Sequence, residues 1–293
     1  MQMKVSKKQF IIYMIAAYGI AWIIQIVASI FANAGNPLMF QGMMMVCMFA
    51  PFLAVLIARI PLKGMGWIPK FKGKWGWILL AWFGPMVTVV LGAALYFLIF
   101  SDRMDWSGSY MATQYGEEAM SEMQAAGLTI PLLLVISAVQ CVLYVPLFNG
   151  LLGLGEEVGW RGVMYPVLKE KLGRAKGMIL GGILWGAWHW PIMILAGYEY
   201  DKDYLGAPFL GMVLFCLYAT VAGIFLDVLY EKTECIWIPS IGHGAINGAG
   251  TVPLLLMRAE DANRMLLGPA PIGIIAMIPM IAVAVILLVK TKK

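Results

Sequence analysis

Long stretches without a charged residue constrain this chain more than any other feature of its sequence. No charge lies between Lys8 and Arg59, and the sequence NAGNP at residues 33–37 divides that stretch into two segments of helical length. Six further uncharged stretches cover residues 75–101, 123–155, 177–198, 204–226, 235–257 and 265–289. About 20 apolar residues cross the hydrocarbon core of a bilayer as a helix. The sequence therefore predicts an all-α, polytopic integral membrane protein with about eight transmembrane helices.

The basic residues predict how the chain is oriented in the membrane. If the N-terminus is cytoplasmic, 17 of the 21 Lys and Arg residues fall in segments on the cytoplasmic side. The outside segments hold the remaining four, which are Arg103, Lys202, Arg258 and Arg264. This is the positive-inside distribution, and it predicts a multi-pass protein of the cell membrane with both termini in the cytoplasm. The net charge of +5 is then explained by topology, so we expect the lipid bilayer as a partner and no nucleic acid. The sequence does not indicate an oligomeric state.

The chain shows no internal repeat and no low-complexity segment that would mark a separate domain. We expect one integrated membrane domain in three parts. Residues 1–128 supply the first three helices and an outside loop, residues 129–257 form a helical core, and residues 258–293 form a last helix and a basic tail. The polar segment 101–128 is expected to be a surface loop with some helix.

Two adjacent carboxylates and an arginine stand out in the sequence GEEVGWRG at residues 155–162. On a helix, Glu157 and Arg161 are i,i+4 neighbours in the favourable order for an ion pair. Glu156 points about 100° away from Glu157 and is left without the arginine. A carboxylate in a partly desolvated site suits general acid–base catalysis. The structural alternative is a salt bridge at the membrane interface that flanks a helix end.

The only two histidines of the chain, His189 and His243, both lie inside uncharged stretches. Ionisable residues inside a membrane segment are expensive and are commonly functional. His243 and Asn247 are i,i+4 neighbours, so an imidazole and an amide share one helix face. Trp185 lies four residues before His189. The structural alternatives are a helix-packing hydrogen bond for each histidine and simple packing for the tryptophan.

The depth of these residues can be counted from the predicted cytoplasmic ends of their helices. At about 1.5 Å per residue, His189, His243 and Asn247 can meet in the inner half of the membrane. A straight fourth helix would leave Glu156 near the inner surface. We therefore expect a tilt or a break, at Pro146 or within residues 150–155, that brings Glu156 inward.

Three motifs in this order resemble those of the CAAX protease and bacteriocin-processing family, the Abi or type II CAAX prenyl endopeptidase group of intramembrane proteases. They are Glu-Glu-Val-Gly-Trp-Arg at residues 156–161, Trp-Gly-Ala-Trp-His at 185–189 and His-Gly-Ala-Ile-Asn at 243–247. The resemblance covers about residues 130–255. The family usually has Phe where this chain has Trp185, a departure that keeps the aromatic ring.

The resemblance implies that Glu156 activates a water molecule and that His189 helps to orient or deprotonate it. His243 and Asn247 would stabilise the oxyanion that forms when the water attacks a peptide carbonyl. The residues implied as structural support are Glu157, Arg161 and Trp185. The expected substrate is a membrane-anchored protein or peptide that is cleaved near its C-terminus, and its prenylation stays open.

Two alternatives remain beside this mechanism and function. Glu156, His189 and His243 could hold a catalytic Zn²⁺ with an open position. However, the chain has no HExxH motif and Asn247 is a poor zinc ligand, so the preferred mechanism needs no cofactor. The alternative function is a non-catalytic membrane immunity factor or scaffold with the same fold. A proton-coupled transporter is less well supported, because the two halves of the chain lack matching broken helices.

Overall fold

The computed structural model describes residues 5–291, and all the regular structure in that range is helical. Residues 1–4 and 292–293, which carry three of the lysines used for the orientation, lie outside it. In chain order the helices are α1 (Lys7–Asn33), α2 (Pro37–Cys47), α3 (Ala50–Ile57), α4 (Trp75–Ile99), α5 (Ser109–Tyr115), α6 (Glu117–Ala125), α7 (Ile130–Leu143), α8 (Val145–Gly159), α9 (Tyr165–Leu172), α10 (Arg174–Trp188), α11 (Trp190–Ala196), α12 (Phe209–Thr233), α13 (Trp237–Gly250) and α14 (Ile278–Lys290). The prediction of an all-α fold is confirmed.

Five segments within residues 5–291 are long and apolar enough to cross a membrane. They are Lys7–Asn33, Pro37–Ile57, Trp75–Ile99, Arg174–Ala196 and Phe209–Thr233. A sixth is possible if α6 and α7, which meet at an angle of 87°, form one broken span. The chain is thus a membrane protein with several apolar helices, whereas the predicted count of about eight transmembrane helices is not confirmed.

The difference in count arises because three of the uncharged stretches do not form long straight helices. The stretch 123–155 is interrupted at Tyr144, between α7 and α8. Helices α13 and α14 have 14 and 13 residues, fewer than the roughly 20 that a spanning helix needs. The length of an uncharged stretch reports how apolar a segment is, but not whether proline and glycine break its helix.

The break before α8 has a clear local cause. Pro146 stands in the first turn of α8, where a proline ring is tolerated but cannot continue a preceding helix. The break lies next to Pro146, one of the two places at which the sequence suggested that the fourth helix bends.

Helices α8 and α13, which carry Glu156, Glu157 and His243, approach each other closely. A Cβ atom built on Gly244 would lie 2.3 Å from the backbone nitrogen of Gly150, and one built on Gly153 would lie 3.1 Å from Cγ of His243. Small residues let helix backbones come this close. The glycines of α8 and α13 therefore bring the carboxylates at the end of α8 within reach of His243.

An ion-pair cluster ties α9, α10, α12 and α14 together at one end of the bundle. Lys169 Nζ lies 2.6 Å from the buried Asp227 carboxylate and 2.9 Å from Glu231. Arg174 bonds Glu231 and also donates to the carbonyl of Leu288 in α14. At the other end, residues 101–128 contain the short helices α5 and α6, in accord with the prediction of a loop with some helix.

Candidate active site

The site lies where the end of α8, the junction of α10 and α11, and the middle of α13 meet. Glu156 and Glu157 occupy the last turn of α8, and a π-helical turn, Trp160–Met164, follows directly. Such turns are frequent at functional sites. His189 stands between α10 and α11, and His243 lies in α13. Both carboxylates and both histidines are buried, so each of these groups needs a partner inside the protein.

Glu157 has two partners on one oxygen. Arg161 Nη1 lies 3.0 Å from Glu157 Oε1, with both side chains fully buried, so the ion pair expected from the i,i+4 spacing is present. Nδ1 of His243 lies 2.8 Å from the same oxygen. The sequence did not predict this second contact, because it joins residues 86 positions apart on two helices. The contact fixes the imidazole with its other nitrogen, Nε2, towards Glu156.

Arg161 is itself held from several sides. Its Nη2 donates to the carbonyl of Gly223 in α12 at 3.3 Å. Its guanidinium carbon lies 4.6 Å from the ring centre of Tyr165 and 4.9 Å from that of Trp185, distances at which cation–π attraction operates. Arg161 therefore neutralises Glu157 and also packs the first motif against α12.

Among residues 5–291, no basic side chain contacts Oε2 of Glu156, and this oxygen accepts hydrogen bonds from two indole groups. Trp185 Nε1 donates to Oε2 at 2.7 Å, and Trp160 Nε1 donates to the same atom at 3.1 Å. Oε1 lies 3.9 Å from Nε2 of His243, which is too far for a direct hydrogen bond. The sequence could have suggested Trp160, four residues after Glu156, but the contact with Trp185 depends on how α8 and α10 pack.

His189 borders this cluster. Its Nδ1 lies 3.1 Å from the carbonyl oxygen of Trp185, and its ring packs edge-on against Trp188 and Phe215 at centroid distances of 4.7 and 4.9 Å. None of the hydrogen bonds or ion pairs formed among residues 5–291 joins His189 directly to Glu156 or His243. His189 reaches the carboxylates through Trp185, whose ring centre is 5.4 Å from that of His243.

Asn247 lies one helical turn after His243 on α13, but it is exposed whereas His243 is buried. Its amide makes no hydrogen bond to any residue in the described part of the chain. The structure thus gathers Glu156, Glu157, Trp185 and His243 in one buried cluster with Arg161. Asn247 and His189 lie at its border.

The possible zinc ligands do not form a three-ligand site in this arrangement. Within residues 5–291, no group of three or more His, Cys, Asp or Glu side chains could hold a metal ion. Glu156 and His243 approach each other, but His189 does not join them as a third ligand. The residues therefore do not fit the tetrahedral zinc site with one open position that was the alternative.

Part of the chain matches a known protein family. Residues 128–249 match the family described as Type II CAAX prenyl endopeptidase Rce1-like. The matched range contains all three motifs and every residue of the buried cluster. No curated protein matches the chain.

Proposed function

We propose that the chain is an intramembrane endopeptidase, because residues 128–249 match the family of Rce1-like type II CAAX prenyl endopeptidases. It hydrolyses a peptide bond near the C-terminus of a membrane-associated protein or peptide. The observation that carries the proposal is the buried Glu156 carboxylate, whose Oε1 lies 3.9 Å from Nε2 of His243. A scaffold or an immunity protein has no need of such a group.

Glu156 is the general base of the proposed reaction. Two polar atoms 3.9 Å apart are close enough to bind one water oxygen between them at about 2.8 Å from each. Glu156 takes a proton from this water while the water oxygen attacks the carbonyl carbon of the scissile peptide. When the tetrahedral intermediate collapses, the C–N bond breaks and Glu156 returns the proton to the leaving nitrogen, as general acid–base catalysis requires.

His243 and Asn247 are the proposed partners of the oxyanion. Glu157 holds the imidazole of His243 through Nδ1, so Nε2 keeps a fixed direction towards the reacting atoms. In this proposal the ring is the imidazolium, in which Nδ1 donates to Glu157 and Nε2 donates to the oxyanion. Fixed donors in a site that excludes water are worth more than mobile ones, because they need no reorganisation during the reaction. The exposed amide of Asn247 is available to a bound substrate. His189, at the border of the cluster, is the proposed second group that orients the water.

The test is cleavage of membrane-anchored peptides by the purified protein in bilayers. Glu156→Gln keeps the size of the side chain but cannot take a proton, and we expect a loss of about 10²–10⁴-fold in rate. His243→Ala and Asn247→Ala should each cost on the order of 10²–10³-fold. Glu118→Gln, an exposed carboxylate in α6, serves as the matched control and should retain full activity.

Two further arms of the same experiment separate the alternatives. Peptides with and without a prenyl group show whether the lipid is part of the substrate. A chelator, together with measurement of bound zinc, tests the metal alternative. The preferred mechanism predicts that the chelator leaves the activity unchanged and that the purified protein carries no stoichiometric zinc. Full peptidase activity in Glu156→Gln would remove the catalytic assignment. Absence of cleavage by the wild-type protein across these peptides would favour the non-catalytic scaffold.

We also propose that both termini face the cytoplasm, on the basis of the distribution of basic residues. Reporter proteins fused after Lys8 and after Lys293 should both give a cytoplasmic signal. An outside signal from either fusion contradicts this orientation.

A further inference from the structure

We propose that Trp160 and Trp185 are positioning residues that hold the carboxylate of Glu156 in its reactive orientation through their indole N–H groups. This inference rests on the proposed function, because it assigns Glu156 the role of general base. The inference assigns the two tryptophans a role in orienting the Glu156 carboxylate, in addition to packing in the core.

The geometry of the two contacts is specific. Both indoles donate to the same oxygen, Oε2, at 2.7 Å from Trp185 and 3.1 Å from Trp160. An indole nitrogen can only donate, and all three side chains are buried. A rotation of the carboxylate that moved Oε2 away would leave two buried donors without an acceptor, which is costly. The pair therefore keeps Oε2 in place and Oε1 towards His243.

The two donors come from different parts of the fold. Trp160 is the first residue of the π-helical turn after α8, and Trp185 lies in the last turn of α10. Each is anchored by further contacts. The ring of Trp185 packs against Arg161 and His243, and Trp160 packs edge-on against Trp188 at 5.9 Å. Donors fixed in this way hold the carboxylate against rotation about both of its terminal torsions.

Trp185 also connects the two histidines of the site. Its indole bonds Glu156, its ring contacts His243, and its carbonyl oxygen lies 3.1 Å from Nδ1 of His189. A displacement of this one residue is thus transmitted to Glu156, His189 and His243. Misplacement of a catalytic group by about 1 Å can cost on the order of 10²-fold in rate.

Trp→Phe substitutions remove the donors and keep the aromatic rings. Trp185→Phe and Trp160→Phe should each lower kcat by about 10- to 100-fold with little change in KM, because the base loses its orientation whereas the substrate-binding surface is kept. The matched control is Trp237→Phe. It removes an indole bond of 2.8 Å to the backbone carbonyl of Trp67, outside the cluster, and should leave kcat near the wild-type value.

A double-mutant cycle distinguishes positioning from general structural damage. In a Glu156→Gln background there is no carboxylate left to position, so adding Trp185→Phe should cause no further fall in the residual rate. Additive losses would mean that the tryptophan acts independently of Glu156 and would overturn the inference. The melting temperature of each variant checks that it is folded. If Trp185→Phe melts well below Trp237→Phe, its loss of activity reflects damage to the fold, and Trp160→Phe is then used to test the positioning role.

The failures of the two proposals can be told apart. If Glu156→Gln retains full activity, the proposed function fails and the positioning role fails with it. If Glu156→Gln is inactive but Trp160→Phe and Trp185→Phe are as active as Trp237→Phe, the general base stands and only the positioning role is refuted.

Discussion

Replacement of Arg161 by alanine tests the buried ion pair beneath the site. In the folded protein Arg161 lies 3.0 Å from Glu157, and neither side chain is exposed. Arg161→Ala removes the counter-ion and leaves the Glu157 carboxylate inside the bundle with His243 as its one partner among residues 5–291. It also removes the hydrogen bond to the carbonyl of Gly223.

The expected cost follows from the burial of the pair. Removing one member of a buried, hydrogen-bonded ion pair costs about 3–5 kcal/mol, because an uncompensated charge is left in a medium of low polarity. An ion pair that reaches solvent contributes roughly 0–1 kcal/mol. Arg264 provides such a comparison. Its side chain is 48% exposed and lies 3.5 Å from Asp261, which keeps Arg103 as a partner when Arg264 is removed.

The measurement is the melting temperature of each purified variant in the same detergent. A loss of 3–5 kcal/mol corresponds to a fall on the order of 5–15 °C for a chain of this size. Arg264→Ala should fall by about 2 °C or less, and Glu156→Gln should fall less than Arg161→Ala, since glutamine keeps an acceptor for the two indoles. Equal, small shifts for Arg161→Ala and Arg264→Ala would refute the argument.

Three further predictions concern other parts of the structure. Gly153→Ala places a Cβ atom 3.1 Å from Cγ of His243, so we expect a loss of about 1–3 kcal/mol in stability and a fall in kcat, measured by melting and peptide cleavage. Partial burial raises the pKa of Asp105, but hydrogen bonds from two serines outweigh it and lower the pKa to about 2. The stabilisation from the ionised Asp105 is present at neutral pH and is lost as the pH falls towards 2, so Asp105→Asn should melt below the wild type at pH 7 and by a smaller margin at pH 3. Lys169→Met leaves the buried Asp227 carboxylate without its closest partner and should cost on the order of 3 kcal/mol, whereas adding Asp227→Asn should restore much of the melting temperature.

The sequence by itself determined the class of the protein and indicated the residues of the candidate site. Uncharged stretches of helical length require an all-helical membrane protein, because the bilayer offers no partner for unpaired backbone groups. The pair Glu157–Arg161 follows from i,i+4 spacing alone, since the geometry of a helix brings these side chains together wherever the helix lies. The same local spacing leaves Glu156 without the arginine. The order of the three motifs also predicted the family that residues 128–249 match.

Only the tertiary structure decided which partners the site residues share. The bonds from Glu157 to His243 and from Trp185 to Glu156 join residues on different helices, so they depend on how closely α8, α10 and α13 pack. The fold likewise decided how many helices are long enough to span a membrane. The break at Tyr144 and the shortness of α13 and α14 leave the hydropathy of the chain unchanged, so hydropathy alone does not report them. Spacing along a sequence determines contacts within one helix, whereas contacts between helices depend on packing. The environment of the proposed base Glu156 consists of contacts of both kinds.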